Sequence, residues 1–317
     1  MTQLSRHDNV LALDAATVSA TWRSRLADYV QLSKVRITVM VVATTWLGFM
    51  LGEKAATQGW LGIGPAVGGW GALVGAMIGT ALSCMGASVL NQVYERDTDA
   101  LMNRTKDRPI PAGRISMRAA LFFGLTLSTA GVVTLAVAAS DIAAFLAAFT
   151  ILSYALIYTP MKRVSSTSTI IGAVPGALPP VIGYAAATDA LGMGAVVMFT
   201  IMFLWQLPHF LAIAWLYRAD YERGGFPMLP VIDPTGGSTF RQMVLCCAAL
   251  LPVGLMPTML GMAGAAYFYV ALAAGTAFLG FALGLVLRPT AGRARAMFFA
   301  SLVYLPLVLA MMVIDRT

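Results

Sequence analysis

The chain has 317 residues, of which 59% are hydrophobic and only 11% charged. A soluble domain carries about 25% charged residues, so a water-facing surface of ordinary size is excluded and the bilayer becomes the relevant solvent. The formal charge of +7 does not require a nucleic-acid partner, because membrane proteins retain Lys and Arg on their cytoplasmic face.

Residues 1–30 hold no long apolar core followed by a small-residue cleavage site, which argues against a cleaved secretory signal. Asp8, Asp14 and Asp28 argue against a mitochondrial transit sequence, and the stretch reads as a mobile cytoplasmic tail. Apolar runs follow at 35–53, 67–90, 117–138, 141–159, 168–186, 193–216, 240–260, 264–286 and 296–314. They are about 20 residues long and do not alternate. In hydrocarbon every backbone amide needs a partner within its own segment or in a closed barrel, so these runs are helices. The expected fold is all-α, a single domain over 1–317 with nine transmembrane helices.

The long polar loops (100–116 and 217–239) and the short apolar ones (139–140 and 261–263) then fall on opposite sides. With the amino terminus and the even-numbered loops inside, nineteen of the 21 Lys and Arg are cytoplasmic, and only Lys54 and Arg316 lie opposite. Cys84, Cys246 and Cys247 sit in apolar stretches without metal-ligand spacing and read as small buried hydrophobes. The thirty Gly and nineteen Met have no fixed period and fit close helix packing.

The second helix leaves the membrane as ASVLNQVYERDTDALMNRTKDRPIPAGR. At about 100° per residue, Asn91, Glu95 and Asp99 drift only about 80° and share one face, while Asp97 points elsewhere. Mg²⁺ prefers oxygen ligands and is often held by one or two carboxylates together with a substrate's phosphates. Arg104, Lys106 and Arg108 follow at once and suit phosphate oxygens, while Pro109 and Pro111 stop the helix. The combination reads as a metal-diphosphate site; the competing reading is a solvated, mixed-charge helix end.

The sixth helix ends with MFLWQLPHFLAIAWLYRADYERGGFPMLP. His209 and Asp220 are eleven residues apart, about 20° of net rotation, so they share a face, with His209 about 16 Å deeper. Asp220 stands between Arg218 and Arg223, so two acid-among-cation helix ends lie on the same side and can clamp one diphosphate. His209 reads either as a packed residue or, as a neutral imidazole, as a contact for a substrate or a haem iron. In the fourth helix, YALIYTPMKR brings Tyr158, Lys162 and Arg163 to the same side. Snorkelling is the competing account for these cations and for Lys34 and Arg36 at the start of the first helix.

These blocks resemble the UbiA-type intramembrane prenyltransferases over essentially all nine helices. The family pattern after the second helix is Asn-Asp-x-x-Asp-x-x-x-Asp; Asn91, Glu95 and Asp99 match its first, third and fourth positions, and Gln92 stands for an acid. After the sixth helix, Tyr217 and Tyr221 lie near the expected carboxylates, with Asp220 the nearest acid. Both departures resemble the branch that farnesylates haem, with its N-x-x-x-E-x-D-x-D-x-x-M-x-R-T, W-x-x-P-H-F and R-x-D-Y-x-x-G-G blocks, and YTPMKR is similar to the family's diphosphate-site element.

The resemblance implies farnesyl transfer from farnesyl diphosphate to the 2-vinyl group of protohaem IX with addition of water. It further implies Mg²⁺ held by Asn91, Glu95, Asp99 and Asp220, and substrate contacts from Lys34, Arg36, Arg104, Arg108, Tyr158, Lys162, Arg163, His209, Arg218 and Tyr221. The setting would be the cell inner membrane with the site facing the cytoplasm, and a haem A synthase or terminal oxidase as partner. A prenyltransferase acting on a quinone precursor or chlorin shares the metal logic. A haem transporter is the alternative that does no chemistry.

Overall fold

The computed structural model describes residues 22–58 and 68–317. Residues 1–21 of the expected tail lie outside the described residues, but 22–32 are helical rather than a loose tail. Long-range contacts order this segment. Leu32 is buried with Val89, Val93, Ile110 and Ile115, Tyr29 meets the Phe123 ring edge-on at 4.9 Å, and Arg114 Nε donates to Asp28 Oδ1 at 2.8 Å.

Nine helices long and apolar enough to cross a membrane are present among the described residues, and no strand. They are α1 (Val35–Ala56), α2 (Trp70–Asp99), α3 (Met117–Ala138), α4 (Asp141–Met161), α5 (Ser168–Thr188), α6 (Met193–Leu216), α7 (Gly237–Met259), α8 (Ala265–Leu287) and α9 (Ala291–Ile314). At 1.5 Å per residue the shortest is about 32 Å long, enough for a hydrocarbon layer of about 30 Å. Large apolar side chains on their outer faces, such as Phe122, Val137 and Phe145, are exposed, as contact with lipid requires.

Lipid is as apolar as leucine, so close backbone packing of small residues, rather than the hydrophobic effect, draws such helices together. In the α2–α3 pair, Gly86 lies against Ser128 and the Gly124 carbonyl while Gly131 lies against Ser83 and the Gly79 carbonyl, a reciprocal interlock. The α1–α5 pair is tighter still. The Gly183 Cα faces the Thr45 carbonyl oxygen and Gly48 faces that of Pro180, with no room for a methyl group at either. Pro179 through Thr188 are all buried, which makes this half of α5 the central rod of the bundle. Pro179 and Pro180 begin it, and α5 breaks between Gly176 and Pro179, where two successive prolines supply no N–H. Gln206 of α6 supports the turn before the break by donating to the Ala173 carbonyl at 2.7 Å.

Gly183→Ala forces a Cβ onto the Thr45 carbonyl and parts α1 from α5. Thermal unfolding in detergent should show a loss of roughly 1–3 kcal/mol, the usual cost of overpacking; a transition at the wild-type temperature would mean the two helices separate freely at this point.

Candidate active site

Helix α2 continues unbroken to Asp99, so the helix itself carries the polar residues out of the apolar layer. Asn91, Glu95 and Asp99 are all buried, whereas Asp97 is exposed and pairs with Arg96. Buried carboxylates need partners. Glu95 Oε1 accepts from Lys162 Nζ at 2.8 Å, and Asp99 Oδ2 from Arg108 Nη1 at 2.6 Å. Arg108 reaches back because the chain turns sharply after α2: Thr105 donates its hydroxyl to the Asp99 carbonyl at 2.9 Å, and the amides of Arg114 and Ile115 close onto the Pro109 carbonyl.

Lys162 is placed by an irregularity in α4. Pro160 cannot donate to the preceding turn, and Ser153–Tyr158 relax into a π-helical turn, a feature frequent at functional sites. The Thr159 hydroxyl donates to the Tyr154 carbonyl at 2.7 Å. It must therefore accept the 3.1 Å bond from Asn91 Nδ2, which orients the amide and leaves Asn91 Oδ1 as the outward acceptor. Lys162 Nζ lies 4.6 Å from the Tyr158 ring centre. Burial alone would lower the Lys162 pKa, but Tyr158, Glu95 and Tyr154 outweigh it and hold the ammonium protonated above the ordinary lysine value.

The third contributor is Lys34, in a left-handed turn (φ 46°) between residues 22–32 and α1. Gln92, the residue that stands for an acid in the sequence pattern, donates Nε2 to the Leu32 carbonyl at 2.8 Å and to the Ser88 carbonyl at 3.1 Å. It thereby ties the turn to α2, close enough for Lys34 to feel the charges of Glu95 and Asp99. Burial pulls the Lys34 pKa down to about 8, with Arg108 and Lys162 pushing the same way and Glu95 and Asp99 opposing. The sequence marks Gln92 only as a departure; its contact with residue 32 needs the fold.

The second helix end is arranged differently from the sequence expectation. Helix α6 stops at Leu216, Tyr217 leaves helical geometry (φ −112°, ψ 23°), and Arg218–Arg223 form a separate short helix. His209 and Asp220 are thus not on one continuous face. Asp220 pairs with Arg223 of its own turn, and Arg218 lies over Trp215. The residue that reaches across is Tyr221: Arg104 stacks on Tyr217 and Tyr221, at 5.1 and 5.6 Å, and approaches the Tyr221 hydroxyl at 3.4 Å. Arg163 lies over the Tyr94 ring on another side of α2, and Arg36 is exposed.

His209 sits between α6 and α9, stacked with Trp205 and Phe298 at 5.2 and 5.1 Å. The Ser301 hydroxyl donates to the Phe298 carbonyl at 2.5 Å and so accepts the 2.7 Å bond from His209 Nδ1. This fixes the Nδ1–H tautomer and leaves Nε2 with its lone pair.

The donor set fits a hard divalent cation that shares its shell with a substrate. Among the described residues no three His, Cys, Asp or Glu side chains converge on one point, so no all-protein cage exists. Asp99 Oδ1 is nevertheless buried without a hydrogen-bond partner, on the same helix face as Asn91, about two turns along. Two carboxylates and one amide oxygen ringed by Lys34, Arg108 and Lys162 suit a small cation bridged to phosphate oxygens.

Residues 41–303 match the model of the UbiA prenyltransferase family. The chain belongs to that family. It is 45% identical over 291 residues to a protoheme IX farnesyltransferase of Solibacter usitatus, covering 92% of this chain and 99% of the relative. This prenyltransferase also shares its fold with a solved digeranylgeranylglyceryl phosphate synthase (TM-score 0.75, 16% identity, 92% and 98% of the two chains covered). A UbiA homologue from Archaeoglobus fulgidus bound to GPP and Mg²⁺ aligns at a TM-score of 0.57 and 15% identity, covering 90% of this chain and 99% of that one.

A lysine with a pKa near 8 is charged below that pH and neutral above it. The affinity of the metal-free protein for inorganic diphosphate should fall as pH rises through about 8, and Lys34→Arg should keep it level across that range. Calorimetric titration from pH 7 to 9 checks both; an equal fall in wild type and variant would place the titrating group elsewhere.

Proposed function

We propose that this prenyltransferase transfers the farnesyl group of farnesyl diphosphate to the 2-vinyl group of protohaem IX with addition of water, giving haem O and diphosphate. The relatives named protoheme IX farnesyltransferase support the acceptor. The observation that carries the donor half is the buried Asn91–Glu95–Asp99 face ringed by Lys34, Arg108 and Lys162.

The reaction breaks the farnesyl C1–O bond, and the electron pair leaves with diphosphate. Asn91 Oδ1, Glu95 and Asp99 Oδ1 would hold Mg²⁺, which when bound supplies positive charge to the diphosphate; the GPP and Mg²⁺ seen with a UbiA homologue of this fold support the choice of ion. Lys34, Arg108 and Lys162 meet the oxygens of the leaving group, where negative charge accumulates, and Tyr221 closes the site from the second helix end. The vinyl group's electrons attack farnesyl C1 and form the new C–C bond. The cation left beside the macrocycle takes up water, which releases a proton and becomes the hydroxyl. The apolar helices keep other water from the allylic cation before the vinyl carbon reaches it. His209, through its free Nε2, contacts the haem acceptor.

We place the site on the cytoplasmic side of the inner membrane, where nineteen of 21 basic residues gather by the positive-inside rule. The transport alternative does not use a phosphate-ready ring of cations around paired carboxylates, and no residue of this site favours a quinone precursor over haem.

Detergent-purified protein incubated with haem B, farnesyl diphosphate and Mg²⁺ should give a porphyrin heavier by one farnesyl group and one water. Chelator should abolish the product, and Asp99→Ala should lower turnover by about 10²–10³-fold, the scale of losing a charge stabiliser in the transition state, with the helical content unchanged. Prenylation of a phenolic acceptor alone would overturn the haem assignment. His209→Ala should weaken the shift of the haem Soret band on binding; an unchanged spectrum would remove His209 from the acceptor site.

A further inference from the structure

The outer face of residues 22–32 has no part in the reaction above, and it is built for lipid. Trp22, Leu26 and Val30 are spaced four apart and are 54%, 57% and 50% exposed. On a helix they form, with Tyr29, an apolar stripe about 100° wide, and Arg23 and Arg25 project on its two flanks. The Arg23 guanidinium lies 5.6 Å from the Trp22 ring centre, the posture of a cation whose stem covers apolar surface.

The opposite face of the segment is already taken. Leu32 is buried, and Arg114 donates to both Asp28 Oδ1 and Gln31 Oε1, so the helix cannot roll to hide its stripe. The stripe also runs on into a surface that lipid already covers. A cleft of about 660 Å³ is lined by Leu26, Tyr29 and Val30 together with Phe122 and Phe123 of α3, and Phe122, on a membrane-spanning helix, is 75% exposed. Helix α1 starts at Val35, three residues past Leu32, which puts the segment at the boundary of the hydrocarbon layer.

We propose that residues 22–32 form an amphipathic anchor seated on the phospholipid surface: Trp22, Leu26 and Val30 enter the acyl region, Arg23 and Arg25 meet anionic headgroups, and this seat holds the turn that carries Lys34 into the site. Lipid is the occupant because the stripe is apolar, flanked by cations on both sides and continuous with the lipid-facing strip of α3. The mechanical link is short. Gln92 grips the Leu32 carbonyl, Ser33 donates its hydroxyl to the Tyr29 carbonyl at 2.8 Å, and Lys34 follows in its left-handed turn. The last clause rests on the reading of Lys34 as a diphosphate contact, so the anchor and the link are tested apart.

Full-length protein is placed in nanodiscs of phosphatidylcholine with or without phosphatidylglycerol, with Cys84, Cys246 and Cys247 changed to Ala and one spin label at position 26, 27 or 30. Labels at 26 and 30 should be relaxed by dissolved oxygen and shielded from a water-soluble nickel chelate, and the label at 27 should show the reverse. Chelate access at 26 and 30 equal to that at 27 would overturn the anchor, as would shielding from both reagents, which would mean a protein partner covers the stripe. Arg23→Gln with Arg25→Gln should make the label at 26 shallower only where phosphatidylglycerol is present; no difference between the two lipids would remove the headgroup contact. Leu26→Asp with Val30→Asp should weaken inorganic diphosphate binding several-fold without any need for turnover. Unchanged binding would sever the link to Lys34 while leaving the farnesyl-transfer reading intact.

Discussion

Two carboxylates buried where α2 leaves the hydrocarbon layer dictate much of the structure around them. The Asp99 side chain is 1% exposed and that of Glu95 6%, and an unpaired ion at such depth costs several kcal/mol. Each therefore has a cation, brought from a different part of the chain: Arg108 by the turn after α2, Lys162 by the end of α4. A third cation, Lys34, arrives from the start of α1. The helices converge on one end of α2 because its charges must be met there.

Satisfying the carboxylates completely would leave nothing for a ligand. Asp99 gives Oδ2 to Arg108 and keeps Oδ1 without a partner, and Thr159 turns Asn91 so that its carbonyl oxygen faces away. A buried acceptor without a donor is a cost that native structures seldom carry. Here Arg108 pairs with the other oxygen of the same carboxylate and Lys34 feels its charge, and an incoming diphosphate with its cation relieves both excesses at once. The same logic applies to Lys34: burial first, and then Arg108 and Lys162, lower its pKa against the pull of Glu95 and Asp99, and an anionic ligand favours its charged form.

The membrane fold was legible in the sequence because hydrocarbon permits so few backbone arrangements. Runs of about 20 apolar residues must be helices, and all nine are present among the described residues. The four-residue spacing of Asn91, Glu95 and Asp99 was legible for the same reason, since α2 stays regular. Reasoning from spacing broke down where the backbone did. His209 and Asp220 would share a face in a continuous helix, but Tyr217 ends α6 and sends Asp220 to Arg223 while Tyr221 turns toward Arg104. Residues 22–30 looked like a tail because their stabilising partners, Phe123 and Arg114, are distant in the chain.

Gln92 shows why a departure from a family pattern can be informative. An acid at this position would place a third carboxylate next to Asn91 and would have no N–H to offer the Leu32 carbonyl. The amide instead donates to Leu32 and Ser88, which converts a ligand position into a brace for the Lys34 turn. Charge at the site is then supplied from α1 as a cation rather than from α2 as another anion. That exchange keeps the negative charge on α2 at two buried carboxylates, matched by Arg108 and Lys162, and leaves Lys34 as the cation in excess to meet the diphosphate.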